Sequence, residues 1–361
     1  MSATEKITQG EEIRTRPCPA CPVCGSSGTV FYRDLVDAFF GAPGKWSSRK
    51  CTNPDCRLVW LDPMPLEEDI ALAYRDYFTH HGTAAARWIE QDERSGSLAQ
   101  RMYGLVRKQY WKNRYGYYGG IQGGRAGLIG HLAYLHPGWR ASLDSKVFYL
   151  PANPGGKLLE IGSGGGQQLE IMNALGWQAE GVDRDPEARK NAMSRGLKVS
   201  LGVLEDQDFP ENHFDAVISN HVIEHVFDPV SLLKEVHRIL KPGGRFVFIT
   251  PNIESWGHRV FRHADLMFMD SPRHLYVFSM PSFRRLAEQA GFGKISALTT
   301  IRHASSLYFS DRAISRTGHF EQGGRVSMSD RLGAKGLQVV EWAALKLRPA
   351  AGEEIVLIGE K

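Results

Sequence analysis

The rhythm of apolar and polar positions changes along this chain. The first segment, closed by "LDPMP" at Pro65, is dominated by cysteines rather than by a periodic apolar pattern. From Leu66 to about Leu150 the pattern is mostly helical, with glycine-rich breaks at "GYYGGIQGGRAG". After the turn signal "PANPGG" (151–156), short apolar runs alternate with helical stretches. "KLLEIG", "AEGVD", "FDAVISN" and "GRFVFITP" predict strands; Gln167 to Leu175, "PEARKNAMSRG" and "PVSLLKEVHRIL" predict the helices between them. Such alternation implies a parallel, doubly wound α/β sheet. "ISALTTI" and the terminal "EEIVLIGEK" read as two last strands, and residues 302–349 between them are too long for a turn, so they form an insertion near one end of the sheet. The expected organisation is a disordered lead (1–16), a cysteine module (17–65), a helical region (66–150) and an α/β domain (151–361).

All five cysteines fall in the first 56 residues. "MSATEKITQGEEIRTR" has no apolar signal core, and no run approaches the roughly 20 residues of a bilayer span, so a soluble, cytoplasmic protein is expected. Disulfides are then disfavoured, and metal is left. Cys21-x-x-Cys24 followed by Gly25 is one thiolate turn; Cys51-x4-Cys56 is the second, with Arg57 where glycine is more usual. Cys21, Cys24, Cys51 and Cys56 would close a tetrahedral, structural zinc site, while Cys18, correctly spaced from Cys21, competes for a place in it.

The net charge of +4 does not argue for nucleic acid. Its distribution is less even. Between Arg101 and Arg125 there is no acidic residue, and basic side chains interleave with Tyr103, Tyr110, Trp111, Tyr115, Tyr117 and Tyr118. That is either a solvated helical face over packed aromatics or a surface for an anionic partner. Residues 1–70 carry eight Lys/Arg against ten Asp/Glu, so the cysteine module is no basic grip for RNA.

"LLEIGSGGG" sets Gly162, Gly164 and Gly166 between a strand and a helix. A phosphate-binding P-loop would need Gly-Lys-Ser/Thr where this chain has Gln167 and Gln168. A dinucleotide loop would need its third glycine at 167. Asp183, ending the next strand, is placed to accept both hydroxyls of a ribose. A nucleoside with an amino-acid tail fits this loop better than a nucleotide.

With "GVD", "FPENHFDAVISNHVIEHVFDP", "LKPGGRFVFITPN" and "AGF" following in order, residues 156–292 resemble class I S-adenosylmethionine-dependent methyltransferases. The resemblance implies a seven-stranded, Rossmann-like sheet behind the zinc ribbon and helical region. It places Glu160, Gly162, Gly164 and Gly166 along the methionine and ribose, Asp183 on the ribose hydroxyls, Val203 and Leu204 beside the adenine with Glu205 near, and Asn220 by the methionine amine. Many relatives have aspartate where Val203 stands. The cysteine module resembles four-cysteine ribbons attached to sugar and small-molecule methyltransferases, and "FGAPGKW" and "YRDYFTH" look like segments of bacterial proteins of that kind.

Methyl transfer to a hydroxyl requires alignment and removal of one proton. His225, after the "FDAVISN" strand, and His274, in the loop after "GRFVFITP", are the candidate bases. His221-x-x-Glu224-His225 also has inverted zinc-peptidase spacing, but it lies beside a strand rather than inside a long helix. Ubiquinone-type O-methyltransferases, which the chain resembles, carry a metal-binding Glu-x-x-Glu-His here; this chain has histidine first. O-methylation of a saccharide or natural-product hydroxyl is the expected activity. The rivals are C-methylation of a nucleotide-linked sugar, methylation of ribosomal RNA and a binding protein without chemistry.

Overall fold

A computed structural model describes residues 12–37, 39–75, 97–120, 127–261, 269–305, 308–309 and 327–361. The strands are β1 (Thr15–Arg16), β2 (Gly28–Leu35), β3 (Trp46–Cys51), β4 (Val59–Leu61), β5 (Met64–Pro65), β6 (Lys157–Ile161), β7 (Gln178–Asp183), β8 (Val199–Leu201), β9 (Phe214–Asn220), β10 (Leu240–Pro251), β11 (Tyr276–Val277), β12 (Lys294–Thr300) and β13 (Glu354–Glu360). The α-helices are α1 (Leu98–Tyr115), α2 (Leu132–Leu135), α3 (Pro137–Lys146), α4 (Gln167–Ala174), α5 (Pro186–Ser194), α6 (Pro229–Ile239), α7 (Trp256–Phe261), α8 (Met280–Gln289) and α9 (Met328–Leu347).

Seven strands form one sheet in the order β12-β13-β10-β9-β6-β7-β8. β6 through β10 pair in parallel and β13 runs antiparallel between β10 and β12. This is the seven-stranded sheet that the motifs implied. β8, only three residues long, carries no readable apolar run of its own.

Period-two alternation divides the side chains between two cores. Leu159, Ile161, Val217, Phe246, Phe248 and Leu357 pack with the cysteine module, α6 and α8. Leu158, Ala216, Ile218, Val247, Ile249 and Val356 pack with α1, α3 and α4 on the opposite face. Several helices begin at sequence-coded caps: Asp185 accepts from Glu187 N at 2.8 Å, and Asp228 from Ser231 N at 3.0 Å, each ahead of a proline in the first turn.

The N-terminal part is tied into the sheet domain rather than strung from it. β11, from the loop after β10, pairs with β4 and completes the four-stranded sheet β11-β4-β3-β2. Leu61 N donates to Leu275 O at 3.0 Å and Gln289 Nε2 to Val23 O at 2.8 Å. Of the expected lead, residues 1–11 lie outside the described residues. Thr15 and Arg16 pair with Pro65 and Met64, and the Arg14 guanidinium holds Asp69. The glycine-rich break at 121–126, most of "YRDYFTH" and 310–326 of the expected insertion also lie outside the described residues. α9 supplies the helical remainder of that insertion.

The basic aromatic stretch splits in two on α1. Arg107 is buried over Trp111, and the Arg114 guanidinium meets Asp144 beside Tyr110 and Tyr115. Arg101 and Lys108 remain exposed.

Candidate active site and cysteine cluster

The loop from β6 to α4 is shaped by its glycines. Gly162, Gly164 and Gly166 have φ of +71°, +51° and +81°, a region that side chains disfavour. A Cβ on Gly162 would lie 2.3 Å from Val222, and one on Gly166 2.4 Å from Leu197. Gly164 has nothing within 4 Å of that position, so its backbone faces open space where a ligand can approach. Gly164 N donates to Asp183 Oδ2 at 2.6 Å and Asp185 N to Asp183 Oδ1 at 2.9 Å. The carboxylate is thereby fixed at the end of β7 with further lone pairs to offer. Burial nevertheless pushes its pKa up.

Glu160, the penultimate residue of β6, is buried, with Oε2 lacking a partner. Burial, and then the Asp183 charge, raise its pKa well above the carboxylate range. A buried orphan oxygen beside an open glycine cradle fits a polar ligand supplying donors. Leu204 is buried, Val203 starts the short helical turn Leu204–Asp206, and Glu205 is exposed. Gln207 Nε2 closes this turn on Leu201 O and Val203 O at 3.1 and 2.9 Å. Asn220 Oδ1 accepts from Arg302 at 2.8 Å. The structure therefore gathers the sequence-predicted cofactor residues at the carboxyl ends of β6, β7, β8 and β9, where open α/β sheets bind ligands.

The two candidate bases meet. The His225 and His274 rings lie 4.7 Å apart, edge to face. His225 Nδ1 is 3.0 Å from Arg273 O, a carbonyl that can only accept, so Nδ1 carries the proton and Nε2 the lone pair. Tyr74 OH sits 3.0 Å from the same Nδ1. Burial, then repulsion by His274, lowers the His225 pKa to about 4 and keeps the ring neutral. Arg273 is the pivot beneath this pair. Fully buried, it contacts Asp37 at 2.9 Å, Asp270 at 2.5 Å and Ala73 O at 2.8 Å, and lies over Phe40.

A second network escapes the motif reading. His221, at φ +54°, bonds Glu224 through Nδ1 (3.1 Å) and Glu354 through Nε2 (2.7 Å). Burial works against its charge, yet the two carboxylates outweigh that and raise its pKa to about 9. Glu224, also bonded by Thr250, is held down at about 2: burial works against its charge, but the bond to His221 and the attraction of His221, His225 and His274 together outweigh it. Arg302 joins Glu354, Asn220 and Ser145, tying β13, β9 and α3 together. Arg302 and Glu354 stand at the ends of the last two strands; only their position at the carboxyl edge could have marked them.

The four sulfurs of Cys21, Cys24, Cys51 and Cys56 lie within 4.8 Å of one another. Cys24 Sγ is 3.4 Å from Cys51 Sγ, and Cys21 Sγ 3.7 Å from Cys56 Sγ. Tetrahedral thiolates on zinc stand about 3.8 Å apart, from Zn–S bonds of about 2.3 Å. The donor set and spacing fit that ion. Cys18 is outside the cluster, its Sγ 3.8 Å from Ala20 O. Arg57 has φ +57°, so it takes the left-handed conformation expected of a glycine after the second turn.

A family model described as a methyltransferase domain matches residues 135–297. The matched stretch contains the glycine loop, Asp183, Asn220 and both histidines.

The chain carries a class I S-adenosylmethionine-dependent methyltransferase domain.

Ubiquinone biosynthesis O-methyltransferase of Xanthomonas oryzae pv. oryzae is 37% identical over 105 residues, 27% of this chain and 44% of that protein. The counterpart from Proteus mirabilis is 34% identical over 105 residues, 27% and 43% of the two chains. The chain thus spans less than half the length of these curated relatives. Among solved structures, Haemonchus contortus phosphoethanolamine N-methyltransferase 2 shares 18% identity over 84% of this chain and 63% of its own, with a TM-score of 0.42. At that likeness no assignment is taken from it. The four-cysteine module precedes the residues matched to the methyltransferase family.

Proposed function

We propose that the protein transfers a methyl group from S-adenosylmethionine to a hydroxyl of a polar small molecule, a saccharide or natural product, and that zinc on Cys21, Cys24, Cys51 and Cys56 is structural. The supporting observation is the pairing of His225, just after the carboxyl end of β9, with His274, with the His225 tautomer set by the Arg273 carbonyl. Bound S-adenosylmethionine supplies an electrophilic methyl carbon on a sulfonium. Asp183 takes the ribose hydroxyls, Gly164 leaves room for the ligand backbone, and Leu204 flanks the adenine. With the neutral thioether of the bound sulfonium as the leaving group, the histidine pair would take the proton of an acceptor hydroxyl. A neutral imidazole with a free lone pair is the state that can receive it. Four thiolates leave the zinc no open position, so it takes no part in the transfer.

The test is methyl incorporation from radiolabelled S-adenosylmethionine into panels of saccharides, nucleotide-linked sugars and RNA, with the methylated atom located by NMR. His274→Ala and His225→Ala should lower turnover by about 10²–10⁴ while S-adenosylhomocysteine affinity is kept. Full turnover in both variants refutes the base assignment, and a new carbon–carbon bond refutes O-methylation.

A further inference from the structure

The helices α1, α2 and α3, which pack on the sheet face opposite the cysteine module, and α9, which packs against α3, carry exposed apolar side chains. Leu98 on α1, Leu128 and Leu135 around α2, and Leu332, Trp342 and Leu347 on α9 are all exposed, four of them by about four-fifths or more: Leu98 79%, Leu128 86%, Leu135 80%, Leu347 87%. These helices are one layer. Tyr103 of α1 meets Trp139 of α3 at 5.3 Å. α3 approaches α9 so closely that a Cβ on Gly138 would lie 2.4 Å from the Gln338 side chain.

Charge on this layer has one sign at its surface. Arg101, Lys108, Arg331, Lys335, Lys346 and Arg348 are exposed. The acidic residues of α1, α2, α3 and α9 are Asp144, Asp330 and Glu341, and all three are buried. Exposed leucines and a tryptophan among basic side chains, with no exposed carboxylate among the described residues of these helices, are the composition of an interfacial helix face. No described helix is long and apolar enough to cross a membrane, so the layer would lie on a surface rather than span it.

We propose that the layer formed by α1, α2, α3 and α9 is a docking face for an anionic lipid membrane. Leucines enter the boundary between headgroups and acyl chains, while lysines and arginines meet the headgroup phosphates. A second copy of this chain is a poorer occupant, because a two-fold contact would set basic side chains against basic side chains. A nucleic acid would satisfy the charges but leave four strongly exposed leucines against phosphate and water.

Co-sedimentation with vesicles of phosphatidylcholine plus phosphatidylglycerol, against phosphatidylcholine alone, decides the matter. The full chain should partition onto the anionic vesicles and be released by salt. Lys335→Glu with Lys346→Glu should weaken partitioning at least about tenfold, each basic residue near the surface being worth roughly fivefold. Leu135→Ser with Leu347→Ser, which leaves the charge unchanged, should also weaken it. Both double variants should keep wild-type S-adenosylhomocysteine affinity, which separates this test from that of the methyl-transfer chemistry. Absence of vesicle binding at low salt, or binding unchanged in both double variants, overturns the proposal. So does a concentration-dependent dimer that the Leu135→Ser, Leu347→Ser variant abolishes, for then a second copy covers the face.

Discussion

The two sides of the candidate active site are built on different physical plans. The cofactor side is local: Glu160, Gly162, Gly164, Gly166 and Asp183 lie within 24 residues, on two adjacent strands and one loop. The acceptor side is assembled from afar. His225 is held by Tyr74, 151 residues away, and by Arg273, whose own partners are Asp37, Ala73 and Asp270. Local construction lets one motif carry the binding of a constant ligand. Long-range construction ties the histidine pair to the cysteine module and the post-β10 loop, and couples it to the stability of the module.

If so, the largest effects should come from the module. Cys56→Ser should release the metal, measured by native mass spectrometry, and lower the melting temperature sharply, because structural zinc contributes folding free energy directly. Cys18→Ser should keep one zinc per chain; loss of zinc there would contradict the ligand set. Next in size, Arg273→Met should cost about 3–5 kcal/mol in chemical unfolding, since it strands two buried carboxylates. It should impair turnover more than S-adenosylhomocysteine affinity. Equal losses of both would erase the distinction between the two sides.

How far each side was legible follows from the same contrast. The glycine loop and Asp183 could be read because their spacing is itself the constraint: Val222, Leu197 and the Gly164 amide fix what each position tolerates. Six of the seven strands showed as apolar runs, and β8 did not, being three residues long with an exposed end. His225 and His274 could be nominated singly, but 49 residues of sequence separation hid their contact. Arg302 and Glu354 were missed, for a lone arginine after one strand and a glutamate opening another carry no periodic or spacing signal. The β4–β11 pairing was equally hidden, since a two-residue strand in a loop is defined by its partner alone.

A smaller effect should appear with pH. His221 has its pKa raised to about 9 from 6.5, so its contribution to stability is complete below about pH 6.5 and is lost as pH rises through about 9. Glu224 is lowered to about 2 from 4.5, so its contribution is present above about pH 4.5 and is lost as pH falls toward 2. On the acid side His225, held neutral with its pKa lowered to about 4, also makes stability fall as pH drops below about 6.5. Urea midpoints should decline on the other side, as pH rises from about 6.5 through 9, and His221→Gln should remove much of that decline. An unchanged alkaline limb would show that the carboxylate clamp does not hold a charged imidazole. The smallest stability change is expected for Gly164→Ala, about 1 kcal/mol from the left-handed backbone alone, because nothing lies within 4 Å of the new methyl. Its cofactor affinity should fall by more than that, as the methyl enters the ligand's space.

The most direct measurement is calorimetric titration of S-adenosylhomocysteine into the wild-type protein and Asp183→Ala. One site per chain, weakened at least about 100-fold in the variant, is the expected result, in line with about 3 kcal/mol for charge-assisted ribose hydrogen bonds. No binding to the wild type, or equal affinity in the variant, would contradict the placement of the cofactor on the glycine loop and Asp183.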